Sequence, residues 1–169
     1  MPKPSPAAHP SYFQKYIDEV VEEDLTVAFQ KQFSNIRDFL HSITEEKSNY
    51  AYAPGKWTIK ELLQHMIDTE RVFAYRSLCF ARNDKAALPG FDENEYAANS
   101  NANNRSWKDL ADEFLVVRKS TELLFNSFTE EVLNTSGIAN ANPATVNSMG
   151  FTAIGHVYHH LKVLKERYL

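Results

Sequence analysis

Apolar residues return every three to four positions along most of this chain, and strict alternation is sustained nowhere. From Asp24 to about Ile43 they fall at Leu25, Phe29, Phe33, Ile36, Phe39, Leu40 and Ile43, with Gln32 a polar exception inside the stripe. A stripe repeating at 3.6 residues per turn predicts an amphipathic helix. Residues 11–22 repeat the pattern weakly through Tyr12, Tyr16 and Val20, as a short preceding helix would. A second helix has a marked start. Thr58 and Glu61 have the spacing of a capping box, and Trp57 and Leu62 that of a hydrophobic staple. Pro54 and Gly55 stop anything earlier from running through, and the helix is predicted to reach about Arg82. Ser106 with Asp109 opens a third, whose stripe is Trp107, Leu110, Phe114, Val117, Thr121, Leu124 and Phe128. The fourth begins after Asn142-Pro143, near Thr145, and continues to the carboxyl end.

Four amphipathic helices predict an all-α fold, a four-helix bundle. About twenty polar, asparagine-rich residues separate the second and third helices, and roughly sixteen the third and fourth. Connections of that length predict a crossover or a cover over a site. The segment LPGFDENEY is the candidate cover, with Phe91 and Tyr96 able to pack over a ligand or simply to close one end of the bundle. The 169 residues suit one domain, residues 11–169, preceded by an extended proline-rich arm at residues 1–10.

Charge and cysteine content remove several classes of function. A net charge of −4 and a pI near 5.9 give no basic surface for nucleic acid. No apolar run is long enough to span a membrane, and the amino end lacks the apolar stretch of a signal peptide. The single cysteine, Cys79, excludes an internal disulfide and fits a reducing compartment, so a cytoplasmic location is expected. No glycine-rich phosphate loop or cofactor fingerprint is present.

The chemistry of the chain lies in its histidines. His156 and His160 stand four residues apart, on one face of the fourth helix, where two imidazoles can share an ion. At about 100° per residue, His160 falls inside the stripe Met149, Ala153, Val157, Leu161, Leu164 and Tyr168, His156 at its border, and His159 toward solvent. His65 lies at the edge of the second helix's stripe, with Glu61, Asp68 and Thr69 beside it. Such a pair can also be incidental, and His65 a solvated residue; spacing alone leaves both readings open. Val157 stands where a zinc peptidase of the H-E-x-x-H type carries its glutamate, so that chemistry is unsupported. Cys79 lies fourteen residues beyond His65, about 21 Å along the same helix, and reads as a structural thiol. His9 and His41 read as incidental.

The segments YAPGKWTIKELLQHMIDTERVFAYR, FARNDKAALPGFDENEY and GHVYHHLKVLKERYL resemble the DinB-like superfamily, which includes the YfiT-type group classed as metal-dependent hydrolases. The most specific parts are the W-[ST]-x-x-E-L-x-x-H start of the second helix and G-H-x-x-H-H in the fourth. The resemblance implies a bundle of up-down-down-up connectivity, with a long crossover between helices two and three. It implies a divalent metal, zinc or nickel, held by His65, His156 and His160. Some relatives resemble thiol-dependent transferases or isomerases using low-molecular-weight thiols, and others amide or ester hydrolases. The implied partner is thus a small-molecule substrate, with such a thiol as one candidate, and relatives often form homodimers.

Three neutral imidazoles would leave an ion its full charge and at least one open position. Such an ion lowers the pKa of bound water, polarises a carbonyl, or turns a bound thiol into a thiolate. Glu61 and Asp68 are candidates to orient His65, or equally a cap partner and a solvated residue; no general base can be named. Three readings remain: a metal-dependent transferase or hydrolase, a non-catalytic metal-binding bundle, and a helical interaction module.

Overall fold

The computed structural model describes all residues, 1–169. Short 3-10 turns at Pro6–Ala8 and Ser11–Phe13 lead into α1 (Gln14–Ile17), followed by α2 (Leu25–His41), α3 (Glu45–Ser48), α4 (Ile59–Ala81), α5 (Glu93–Asn99), α6 (Trp107–Asn126), α7 (Glu130–Leu133), β1 (Ser136–Ala139), β2 (Asn142–Thr145) and α8 (Val146–Arg167). The long helices α2, α4, α6 and α8 form the four-helix bundle that the periodicity predicts. Their starts follow the capping chemistry. Asp24, Thr58, Ser106 and Thr145 each accept a backbone N–H from the first turn, and Glu61 returns the capping box to Thr58. No helix is long and apolar enough to cross a membrane.

Around the bundle, α2 packs on α6 and α8, and α4 packs on the same two, so α2 and α4 face each other across the diagonal. Leu40 meets Trp107 and Phe29 meets Phe125, which sets α2 and α6 antiparallel. On α4 and α8, Trp57 meets Tyr168 while His65 meets His156, again antiparallel. Gln64–Arg105 and Glu70–Arg118 bonds run α4 and α6 in the same direction.

The core has two apolar ends. Leu25, Phe29, Phe73, Phe80, Phe125 and Phe151 belong to one, and Leu40, Leu63, Trp107, Phe114, Leu161 and Leu164 to the other. Between them lies a polar layer that hydropathy does not reveal. Arg118, only 1% exposed, donates to both carboxylate oxygens of Glu70 at 2.9 and 3.0 Å and to Gln32, with its guanidinium over the Phe29 ring. Gln32 in turn donates to the Ile154 carbonyl at 2.8 Å. Gln32 is thereby explained as the polar residue in α2's stripe. The seam of α6 is centred on Phe114, Arg118 and Phe125, leaving Val117, Leu124 and Phe128 half-buried at its edge.

Residues 1–10 lie against the bundle. The Met1 ammonium sits 2.7 Å from Asp24, Asn147 donates to the Pro2 carbonyl, and His9 is buried. The stretch after them docks on α8 through Gly155: a Cβ there would come within 1.9 Å of the Tyr16 carbonyl oxygen. Glycine is what allows this close approach.

Both long connections are more ordered than their composition suggests. The first holds α5, capped by Asp92, and a 3-10 turn at Ala102–Asn104. The second folds into an antiparallel β1–β2 hairpin whose turn residues Asn140 and Ala141 both have positive φ, the geometry of a type I′ turn. Leu88 then joins β1, donating to Ile138 and accepting from Asn140. That places Gly90 and Phe91 beside the turn, at the rim of the main cavity. The hairpin is an exception to the expectation of no strand. Four-residue strands holding Gly137 and Pro143 carry no alternation to detect.

Candidate metal centre

His65 on α4 and the i,i+4 pair His156 and His160 on α8 come together where the two antiparallel helices pack. Their ligand atoms all lie within 4.8 Å of one another. His65 Nε2 is 3.1 Å and His160 Nε2 is 3.0 Å from His156 Nε2. A tetrahedral cation with ligand distances of about 2.1 Å holds its nitrogens about 3.4 Å apart, close to this arrangement. The contacts also make chemical sense for a cation. Each neutral ring nitrogen offers either one N–H or one lone pair, so hydrogen bonds alone leave this cluster incompletely matched. A single cation accepts all three lone pairs.

Burial keeps the rings neutral. It lowers the pKa of His65 to about 4, opposed by the nearby Glu93 charge. Burial, then the neighbouring histidines, push His156 and His160 well below the usual imidazole value. His160 Nδ1 is buried without a partner, and His65 Nδ1 has Thr69 Oγ1 at 3.5 Å.

The two acidic neighbours of His65 in sequence do not orient it. Glu61 accepts from the Thr58 backbone N–H as the capping box requires, and Asp68 accepts from Gln64. Burial holds the Asp68 carboxyl above the usual range. Nor does His159 stand free in solvent. It is half-buried, its ring 5.5 Å from Tyr16 and 5.1 Å from His160. His41 is exposed, and Cys79 is half-buried in the apolar cluster away from the histidines.

The three rings form one wall of a cavity of about 320 Å³. Trp57 covers His65 with ring centroids 5.0 Å apart, while Tyr16 and Phe73 flank His156 at 5.5 and 6.1 Å. Lys15, Arg76, Phe91, Glu93 and Asn140 complete the polar and aromatic rim. Phe91 lines this cavity as the cover reading expects; Tyr96 packs on Phe91 and faces other surfaces. Sequence reading missed Arg76 and Glu93. One signal existed for the first: His65, Thr69, Phe73 and Arg76 follow i, i+4, i+8, i+11 along one helical face. Glu93 depends on how the connection folds.

Fold and site together define an all-α bundle carrying, on a cavity wall, a three-histidine group that could hold a metal ion. The chain belongs to the DinB superfamily, whose sequence profile matches residues 28–164. Among solved structures it resembles YfiT from Bacillus subtilis, described as a probable metal-dependent hydrolase with an unusual four-helix bundle topology. That similarity has a TM-score of 0.74 at 13% identity and covers 97% of this chain and 90% of YfiT. At that identity it speaks for the shared fold. No curated protein matches the chain in sequence.

Proposed function

We propose that the protein is a metal-dependent enzyme acting on a small molecule, holding a divalent cation, zinc or nickel, through His65, His156 and His160, and that its reaction is hydrolysis. The observation that carries this reading is the convergence of three imidazole Nε2 atoms, on buried His65 and His156 and half-buried His160, on the wall of a cavity. The description of YfiT as a probable metal-dependent hydrolase supports it. A divalent ion bound there supplies Lewis acidity, polarising a substrate oxygen and lowering the pKa of a water or thiol it coordinates.

The chain's own residues supply the rest. Trp57, Phe73 and Tyr16 restrict water around the rings, which strengthens every charge interaction at the site. Glu93 is the only carboxylate lining the cavity, and its charge reaches His65. In this reading a Glu93 carboxylate oxygen takes the proton of the attacking nucleophile and returns it to the leaving group.

A second reading, transfer to a low-molecular-weight thiol, has one observation in its favour. Another cavity, of about 310 Å³ and lined by Tyr52, Lys56 and Tyr168, meets the first at Trp57 and His160. Two cavities sharing the same ring would suit two substrates.

Elemental analysis of untagged protein purified without added metal tests the centre. One divalent ion per chain is expected in the wild type, and its loss in His65→Ala and His156→Ala; equal ion content in all three sinks the assignment. Ester and amide substrates assayed with and without added thiols then separate hydrolysis from transfer. Glu93→Gln is expected to retain the ion while turnover falls roughly 10²–10⁴-fold.

A further inference from the structure

Five charged side chains are buried: Lys60, Glu70, Arg76, Arg118 and Glu122. Four have ionic partners, Lys60 with Glu45, Glu70 with Arg118, and Glu122 with Lys119. Arg76 has none. One of its terminal nitrogens donates to the Pro89 carbonyl at 2.7 Å, and its guanidinium lies 6.0 Å from the Phe91 ring centre. The ionisable groups that act on it are the phenols of Tyr12 and Tyr96, not a carboxylate. A guanidinium withdrawn from water without a counter-charge is costly, and proteins keep one where an anion is to be received.

Arg76 lines the same cavity as the histidines, three helical turns further along α4. Eleven residues at 1.5 Å each put their Cα atoms about 16 Å apart along the axis. Phe73 lies between them on the same face, and Phe91 closes over the Arg76 end. Along α4 the cavity lining therefore runs from His65 through Phe73 to Arg76, so the guanidinium and the histidines stand toward different ends of it.

We propose that Arg76 is a specificity-determining residue that pairs with an anionic oxygen group, a carboxylate in the first instance, on an elongated substrate with an apolar middle. The reacting group of that substrate lies at the histidines. The proposal rests on the reading of this cavity as the active site and specifies what enters it. A planar guanidinium already fixed by the Pro89 carbonyl offers its remaining N–H groups to two carboxylate oxygens at once.

The probes are phenylbutyrate and its neutral analogue phenylbutyramide, titrated calorimetrically into the intact protein as isolated, alongside Arg76→Gln and Arg76→Lys. Wild type is expected to bind the carboxylate about tenfold to a hundredfold more tightly than the amide, the margin of a charge-assisted pair. Arg76→Gln should lose that margin while it stays folded with its ion content unchanged, and Arg76→Lys should keep part of it. Equal affinity for the two probes in wild type, including no binding of either at millimolar concentration, overturns the proposal. So does a margin that survives in Arg76→Gln, which would assign the carboxylate to the histidine end. Ion content measured on the same samples keeps the two readings apart. A margin that depends on Arg76 in protein without an ion supports the anion site while removing the metal enzyme; bound ion with no such margin does the reverse.

Discussion

At the scale of single residues, the histidines show how burial prepares a donor. An imidazole in water is half protonated near pH 6.5, and a proton on Nε2 excludes an ion. Burial holds His65 at about 4 and its two partners well below their ordinary value, so the lone pairs stay free through mildly acidic conditions. The same shift sets a pH dependence of stability. Between about pH 6.5 and 4 the unfolded chain protonates these rings while the folded, chelator-treated protein does not. The unfolded state binds more protons there, so stability is full above that window and falls as pH drops through it. Urea midpoints taken from pH 7 to 5 in chelator should decline, and His65→Phe should flatten the decline. A midpoint independent of pH in the wild type would mean the rings are not buried as neutral groups. Saturating ion should raise the melting temperature of the wild type at pH 7 and leave that of His65→Ala in place, because only a folded site gains from binding.

At the scale of elements, the site is built by two helices and a docked segment, which differ in how far the sequence reveals them. The boundaries of α2, α4, α6 and α8 were legible to within a residue or two, because Asp24, Thr58, Ser106 and Thr145 announce their starts by hydrogen-bonding chemistry that needs no tertiary context. His156 and His160 were legible as a pair for the same local reason. His65 joined them through family resemblance, since no spacing within one helix tells which other helix it will face. The hairpin, the docking of α1 and the place of Glu93 were not legible, because each depends on contacts between segments far apart in the chain. Gly155 illustrates the point. A glycine inside a helix costs about 0.5–1 kcal/mol relative to alanine, yet here the Tyr16 carbonyl occupies the space a side chain would fill. Gly155→Ala must push α1 away, which predicts a loss of about 1–3 kcal/mol in urea denaturation. Hydrogen exchange should then speed up at residues 12–17, which form one wall of the cavity, while α6 keeps its protection. Unchanged exchange there would show that α1 does not rest on this glycine.

At the scale of the whole molecule, the polar layer between the two apolar ends links all four long helices to the site. Arg118 on α6 holds Glu70 on α4 and Gln32 on α2, and Gln32 holds the Ile154 carbonyl on α8, two residues before His156. A buried ion pair seldom adds net stability over well-packed apolar residues, but removal of one member leaves a bare charge in the core. Glu70→Leu or Arg118→Met alone is therefore expected to cost about 3–5 kcal/mol. The double variant should recover most of that loss, since neither charge then remains unpaired. The network's further effect is on register: without Arg118, Gln32 loses the partner that fixes its amide, and with it the bond that sets the depth of α8. The double variant should then fold near wild-type stability yet bind the divalent ion more weakly, by about the 10–100-fold typical of lost supporting contacts. Denaturation curves and ion titration on the two single variants and the double complete a cycle that separates these effects. Stability restored together with full ion affinity would confine the polar layer to packing, and stability restored with weakened ion binding would make it the frame on which the histidines are aligned.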